Sequence, residues 1–189
     1  MSNTMSRARL LALVAALLLA AAGLGQAGWI HAKAWLAQVL IERAFATGHR
    51  PWPWADTRAV ARLELPGLEH PLYVLAGHSG RNLAFGPAHD AASVLPGEPG
   101  NSVIAGHRDT HFRALAKLVP GDHISVTRPD GRRFAFVVAA LEVVDSRRAR
   151  LALDAPGPRL TLVTCYPFDA LDPNGPLRYV VTALPGGDL

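Results

Sequence analysis

The hydrophobic positions change their spacing twice along the chain. From Leu10 to Ile30 they form a run without a charged residue, LLALVAALLLAAAGLGQAGWI. Residues 31–45, HAKAWLAQVLIERAF, mix apolar and charged positions in a way that suits an amphipathic helix. Helical patterning stops near Ala46, and the stretch Thr47–Pro53 holds Gly48, Pro51 and Pro53. Proline has no backbone donor and clashes with the preceding turn, so a helix cannot run through this stretch. Past it the pattern shortens into β-like runs divided by turn residues. These are Ala59–Leu65, Leu72–Leu75, Ser102–Ala105, Ile124–Arg128, a long or bent run over Arg133–Asp145, Leu160–Thr164 and Leu177–Thr182. His111–Leu118 is the one short helical patch among them.

That spacing predicts an all-β domain, a closed or nearly closed barrel of about seven or eight strands. Closure also removes exposed strand edges. The N-terminal run has the length for one bilayer crossing, which takes ~20 residues, and helix is the state that satisfies its backbone in lipid. Arg7 and Arg9 precede it. The expectation is a single-pass anchor in a bacterial inner membrane, with a cytoplasmic N-terminus and the main domain on the periplasmic side. A signal peptide cleaved near Ala20–Ala22 or Ala27 is the rival reading of the same run. The expected organisation is residues 1–30 as cytoplasmic tip and transmembrane anchor, 31–53 as stalk and linker, and 54–189 as the barrel domain.

Charge narrows the partners. The 189 residues carry a net charge of +4, with short basic clusters at Arg132–Arg133 and Arg147–Arg148–Arg150. Scattered cations without a binding motif do not make a nucleic-acid stripe, so no nucleic-acid partner is expected. The single cysteine, Cys165, rules out an intramolecular disulfide. Outside the cytoplasm such a thiol is buried and inert, paired between chains, or kept for chemistry.

Cys165 ends the run Leu160–Thr164 and precedes Pro167, so a strand would hold it at the lip of a loop. It reads equally as a buried small hydrophobe or as a nucleophile. His107, in VIAGHRD, opens a loop after another apolar run. It is a solvated loop residue or a general acid and base reaching a neighbouring strand end. Arg178, in PLRYVV, starts the last strand; it is a solvated strand residue or a charged donor for an oxyanion. Asp109 and Asp169 either orient His107, contact substrate or hydrogen-bond within loops. His78, in LAGHSG, is a further site residue or a loop cap. His107, His111 and Asp109 do not form a zinc set, and no metal or cofactor is expected. A GxSxG elbow and a Gly-rich phosphate loop are both missing from the sequence.

At these residues the chain resembles a sortase. TLVTCYPF, residues 161–168, is similar to the TLxTC-type cysteine segment of that family, through Thr161, Leu162, Thr164 and Cys165. AGHRDTHF, residues 105–112, resembles the histidine segment of class C, class D and related sortases, and Arg178 follows in the family's order. RPWPWADTRAVARL, residues 50–63, and TCYPFDA, residues 164–170, resemble the subgroup found in Gram-negative bacteria. The resemblance implies an eight-stranded closed barrel with short helices. It also implies a cysteine transpeptidase with His107, Cys165 and Arg178 as its catalytic trio. The implied partners are an exported protein with a C-terminal LPxTG-like sorting signal, cut between Thr and Gly, and an unidentified amine acceptor. An L,D-transpeptidase-like peptidoglycan enzyme is the nearest alternative enzyme, although its SHGC-type motif is missing. An anchored β-domain that only binds an envelope protein is the non-enzymatic alternative.

Overall fold

The computed structural model describes residues 36–77, 79–170 and 175–187. Helix α1 covers residues 36–47. Eight strands follow: β1 Ala59–Glu64, β2 Leu72–Ala76, β3 Ala88–His89, β4 Gly100–Ala105, β5 His123–Thr127, β6 Arg133–Asp145, β7 Pro158–Cys165 and β8 Leu177–Pro185. A four-residue helix, α2 (Gly80–Leu83), precedes β3, and a 3-10 helix, η1 (Arg113–Lys117), follows β4. The strands close into a barrel in the order β1-β2-β3-β4-β7-β8-β6-β5. The predicted all-β closed barrel is therefore observed. Strand β3 and helix α2 were not visible in the pattern, because two and four residues are too short to carry a period.

Alternation builds the core. Leu160 and Leu162 on β7 point into the barrel with Ile104 on β4 and Val181 and Ala183 on β8. Leu63, Val74, Ile124, Val126, Phe136 and Val138 complete the lining from the other strands. Each large apolar side chain so buried contributes roughly 1.5–3 kcal/mol. The surface ion pairs, such as Arg133 with Glu64 at 2.9 Å, contribute about 0–1 kcal/mol each. Packing thus outweighs charge in holding the barrel. The β5–β6 turn runs through Gly131, whose φ of 83° needs a residue without Cβ strain.

Residues from Leu40 onward make one compact unit. Within it Ile41, buried, packs with Ala59 of β1 and Leu75 of β2, flanked by Phe45, Trp52, Tyr73 and Phe85. Ile41 and Phe45 stand four apart, on one face of α1.

The membrane expectation requires correction. Among the described residues no helix is long and apolar enough to cross a membrane. Helix α1 carries Glu42 and Arg43 and spans residues 36–47, far short of the ~20 apolar residues a crossing takes. The span expected at Leu10–Ile30 lies outside the described residues. The transmembrane helix, the membrane contact through residues 10–30 and the single-pass periplasmic placement are accordingly not retained.

Candidate active site

Strand register sets the positions of the chemistry-bearing residues. Strands β4 and β7 run parallel, with Ile104 opposite Leu162 and Ala105 opposite Val163. His107 lies two residues past Ala105, and Cys165 two past Val163. The shared register therefore brings both to the same rim of the barrel. Strands β7 and β8 run antiparallel, with Thr164 opposite Tyr179 and Cys165 opposite Arg178. Leu160 and Leu162 face inward, so Cys165 shares the outward face with Thr161 and Val163. Arg178 shares that face with Val180.

The rim is cross-linked around these residues. Gly106 N–H donates to the Val163 carbonyl at 3.1 Å. The buried Thr164 hydroxyl returns a 2.7 Å bond to the Gly106 carbonyl. A Cβ at Gly106 would lie 2.8 Å from the Phe112 ring, so glycine permits this close approach. Phe112 N–H in turn donates to the His107 carbonyl at 2.9 Å. His107 itself is exposed and Cys165 is half-buried. Beyond the cysteine, Tyr166 N–H donates to the Leu177 carbonyl at 3.1 Å. Tyr166, Phe168 and Tyr179 form an aromatic cluster, with the Phe168 and Tyr179 ring centres 5.1 Å apart. Burial, then the neighbouring Tyr166, pushes the Tyr179 hydroxyl pKa up.

Arg178 is half-buried, and its Nη1 donates to the carbonyls of Gly175 and Leu177 at 2.7 and 2.8 Å. Its charge is thus anchored at the mouth of the β7–β8 loop. Asp109 and Asp169 are exposed loop residues. Burial lowers the His111 pKa below the usual histidine value; charge on His107 lowers it further, and Asp109 opposes both. His78 lies outside the described residues. Among the described residues no three His, Cys, Asp or Glu side chains converge as a metal-binding group.

Two residues of this region escaped sequence reasoning. Asn101 is buried on β4, accepts from the Thr161 hydroxyl at 2.8 Å and donates to the Ala152 carbonyl at 2.9 Å. It ties the β6–β7 loop to the strands that carry the site. Arg108 is buried between exposed neighbours and donates to the Ala170 carbonyl at 2.7 Å. A polar residue opening the apolar run NSVIA was the available signal for Asn101. Within HRD nothing distinguishes Arg108 from a solvated cation.

A closed eight-stranded barrel with cysteine, histidine and arginine at one rim defines a β-barrel domain with a thiol site. A family model for the sortase domain matches residues 63–185, from β1 to the end of β8. The chain belongs to the sortase family. It is 32% identical over 120 residues to sortase D of Bacillus subtilis (strain 168), covering 63% of this chain and 60% of that protein. The matched part is thus less than two thirds of that relative's length. Among solved structures, sortase A from Corynebacterium diphtheriae aligns with a TM-score of 0.63 at 27% identity, over 72% of this chain and 64% of that one. A Clostridium perfringens sortase D5 transpeptidase aligns with a TM-score of 0.59 at 26% identity, over 69% and 80%.

Proposed function

We propose that the chain is a sortase-type cysteine transpeptidase, with residues 54–189 as its catalytic domain. The observation that carries this reading is the register pairing of Cys165 with Arg178 beside the β4 end that bears His107. The substrate is an exported protein with an LPxTG-like C-terminal signal. The Cys165 thiolate attacks the threonine carbonyl carbon, and the carbonyl oxygen takes up the negative charge. Arg178, held by its loop carbonyls, offers the other donors of its fork to that oxyanion. Collapse breaks the Thr–Gly bond, and His107 gives a proton to the departing glycine nitrogen. A thioester remains between Cys165 and the threonine acyl group. An acceptor amine then attacks, His107 takes its proton, and the thiolate is regenerated. Thr164 supports this site through Gly106, and the Asp109 charge acts on His111 of the same loop.

The relatives named above are sortases of Gram-positive bacteria. The placement in the Gram-negative subgroup rests on the segments 50–63 and 164–170, and it leaves the acceptor amine open.

The test is intact-mass measurement of the whole chain incubated with an LPxTG-like peptide, with and without a small amine. A thioester adduct lost in Cys165→Ala, together with an amine-ligated product, supports transpeptidation. Cleavage without ligation restricts the reading to a thiol endopeptidase. A folded, reduced protein that gives neither adduct nor cleavage across neighbouring sorting-signal sequences favours the binding-domain alternative.

A further inference from the structure

We propose that Arg108 is a positioning residue that holds the His107 loop at a fixed distance from the loop following Cys165. The inference rests on the active-site reading above. Arg108 is only 8% exposed, whereas His107 and Asp109 on either side of it are exposed. A buried guanidinium needs hydrogen-bonding partners, because its desolvation is otherwise costly. Its Nη2 donates to the Ala170 carbonyl, 62 residues away in sequence, at 2.7 Å. Ala170 lies in the segment that leaves Cys165, through Tyr166 and Phe168.

The placement of this bond matters. On the strand side of His107, Gly106 is bonded to Val163 and Thr164. On the far side, Arg108 is bonded to Ala170. His107 is thus bracketed by links to the chain segments that enter and leave Cys165. Without the second link, His107 would be held at the strand end and by Phe112 N–H to its carbonyl, but not to the segment that leaves Cys165. The second link closes the frame. A planar fork on a long stem suits that span, because it bonds a carbonyl while its apolar part packs. In this role Arg108 acts through the relative placement of His107 and Cys165.

The experiment reads the thiol directly and needs no substrate. The rate of Cys165 alkylation by iodoacetamide is followed against pH in the full chain, in His107→Ala, in Arg108→Met and in Arg108→Lys. Circular dichroism establishes that each variant is folded. Arg108→Met keeps the stem and removes the donors, and Arg108→Lys keeps a charged donor. The expected result is a pH profile for Arg108→Met displaced from wild type toward that of His107→Ala, with Arg108→Lys between the two. Peptide turnover should fall about 10–100-fold in Arg108→Met, through kcat rather than KM. An Arg108→Met profile that superimposes on wild type, while His107→Ala differs, overturns the positioning role and leaves the active-site reading intact. A His107→Ala profile identical to wild type overturns the His107–Cys165 coupling, and the Arg108 proposal falls with it.

Discussion

Cys165 and Arg178 stand opposite each other on β7 and β8 as a non-hydrogen-bonded pair. The next pair outward is the bonded one, Tyr166 N–H to the Leu177 carbonyl. In antiparallel sheets the non-bonded pairs bring their Cα atoms to about 4.5 Å, closer than the bonded pairs. The thiol and the base of the arginine side chain are therefore neighbours by backbone geometry, whatever the rotamers do. Replacing Arg178 by Ala should lower the rate of thioester formation by ~10²–10³, the usual effect of losing an oxyanion donor. Arg178→Lys should recover little of it, because an ammonium cannot hold the loop carbonyls and serve the oxyanion with one fork. Adduct accumulation by mass spectrometry checks this, and an undiminished rate in Arg178→Ala would remove arginine from the mechanism.

The Thr164 hydroxyl carries the link between the two parallel strand ends. Thr164→Val keeps the shape and deletes the donor, which strips the Gly106 carbonyl of this partner. The expected cost is roughly 1–3 kcal/mol in urea unfolding. Thr164→Ser should return most of it. Wild-type stability in Thr164→Val with a loss in Thr164→Ser would mean that the methyl, not the hydrogen bond, matters at this position.

Asn101 holds the β6–β7 loop by its side-chain amide to Ala152 and by its backbone N–H to Leu153. In Asn101→Ala the first of these is lost, and Thr161 loses its acceptor as well. Hydrogen exchange across residues 149–155 should accelerate severalfold, while β1 and β5 keep their protection. Unchanged exchange in that loop would show that the backbone bond alone suffices.

Acid should weaken the His107 loop through His111. Burial, aided by charge on His107, depresses the folded-state pKa of His111 below its unfolded value of 6.5, while Asp109 opposes the shift. The unfolded chain then binds the proton more readily than the folded one. The contribution of neutral His111 is complete above about pH 6.5 and is lost as pH falls toward and through the lowered value. The thermal midpoint of the wild type should decline from pH 7 to pH 5, and His111→Asn should flatten part of that decline. Parallel curves for the two proteins would exclude His111 as the source.

Much of the barrel was legible in the sequence, because strands of five or more residues print their alternation. Leu160–Thr164 reads as one face in and one face out, and β7 keeps that parity. The bent run over Arg133–Asp145 is one strand, β6, with a register shift between Val138 and Ala140. The helical pattern at His111–Leu118 became the shorter 3-10 helix η1, because Phe112 is drawn into the core and its N–H is bonded to the His107 carbonyl. Strand β3 was illegible, since Ala88 and His89 earn their place only by bridging β2 and β4.

The sequence by itself determined the strand-rich domain, the lone thiol at a strand end and the order histidine, cysteine, arginine, because these depend on local period and residue type. It could not decide distances across the chain. Ala105 and Val163 are far apart in sequence and level in space only because β4 and β7 lie parallel in a closed barrel. The buried partners of Arg108 and Asn101 belong to the same category. A polar side chain in a loop or at a strand start looks solvated until tertiary packing brings a carbonyl to it and excludes the water.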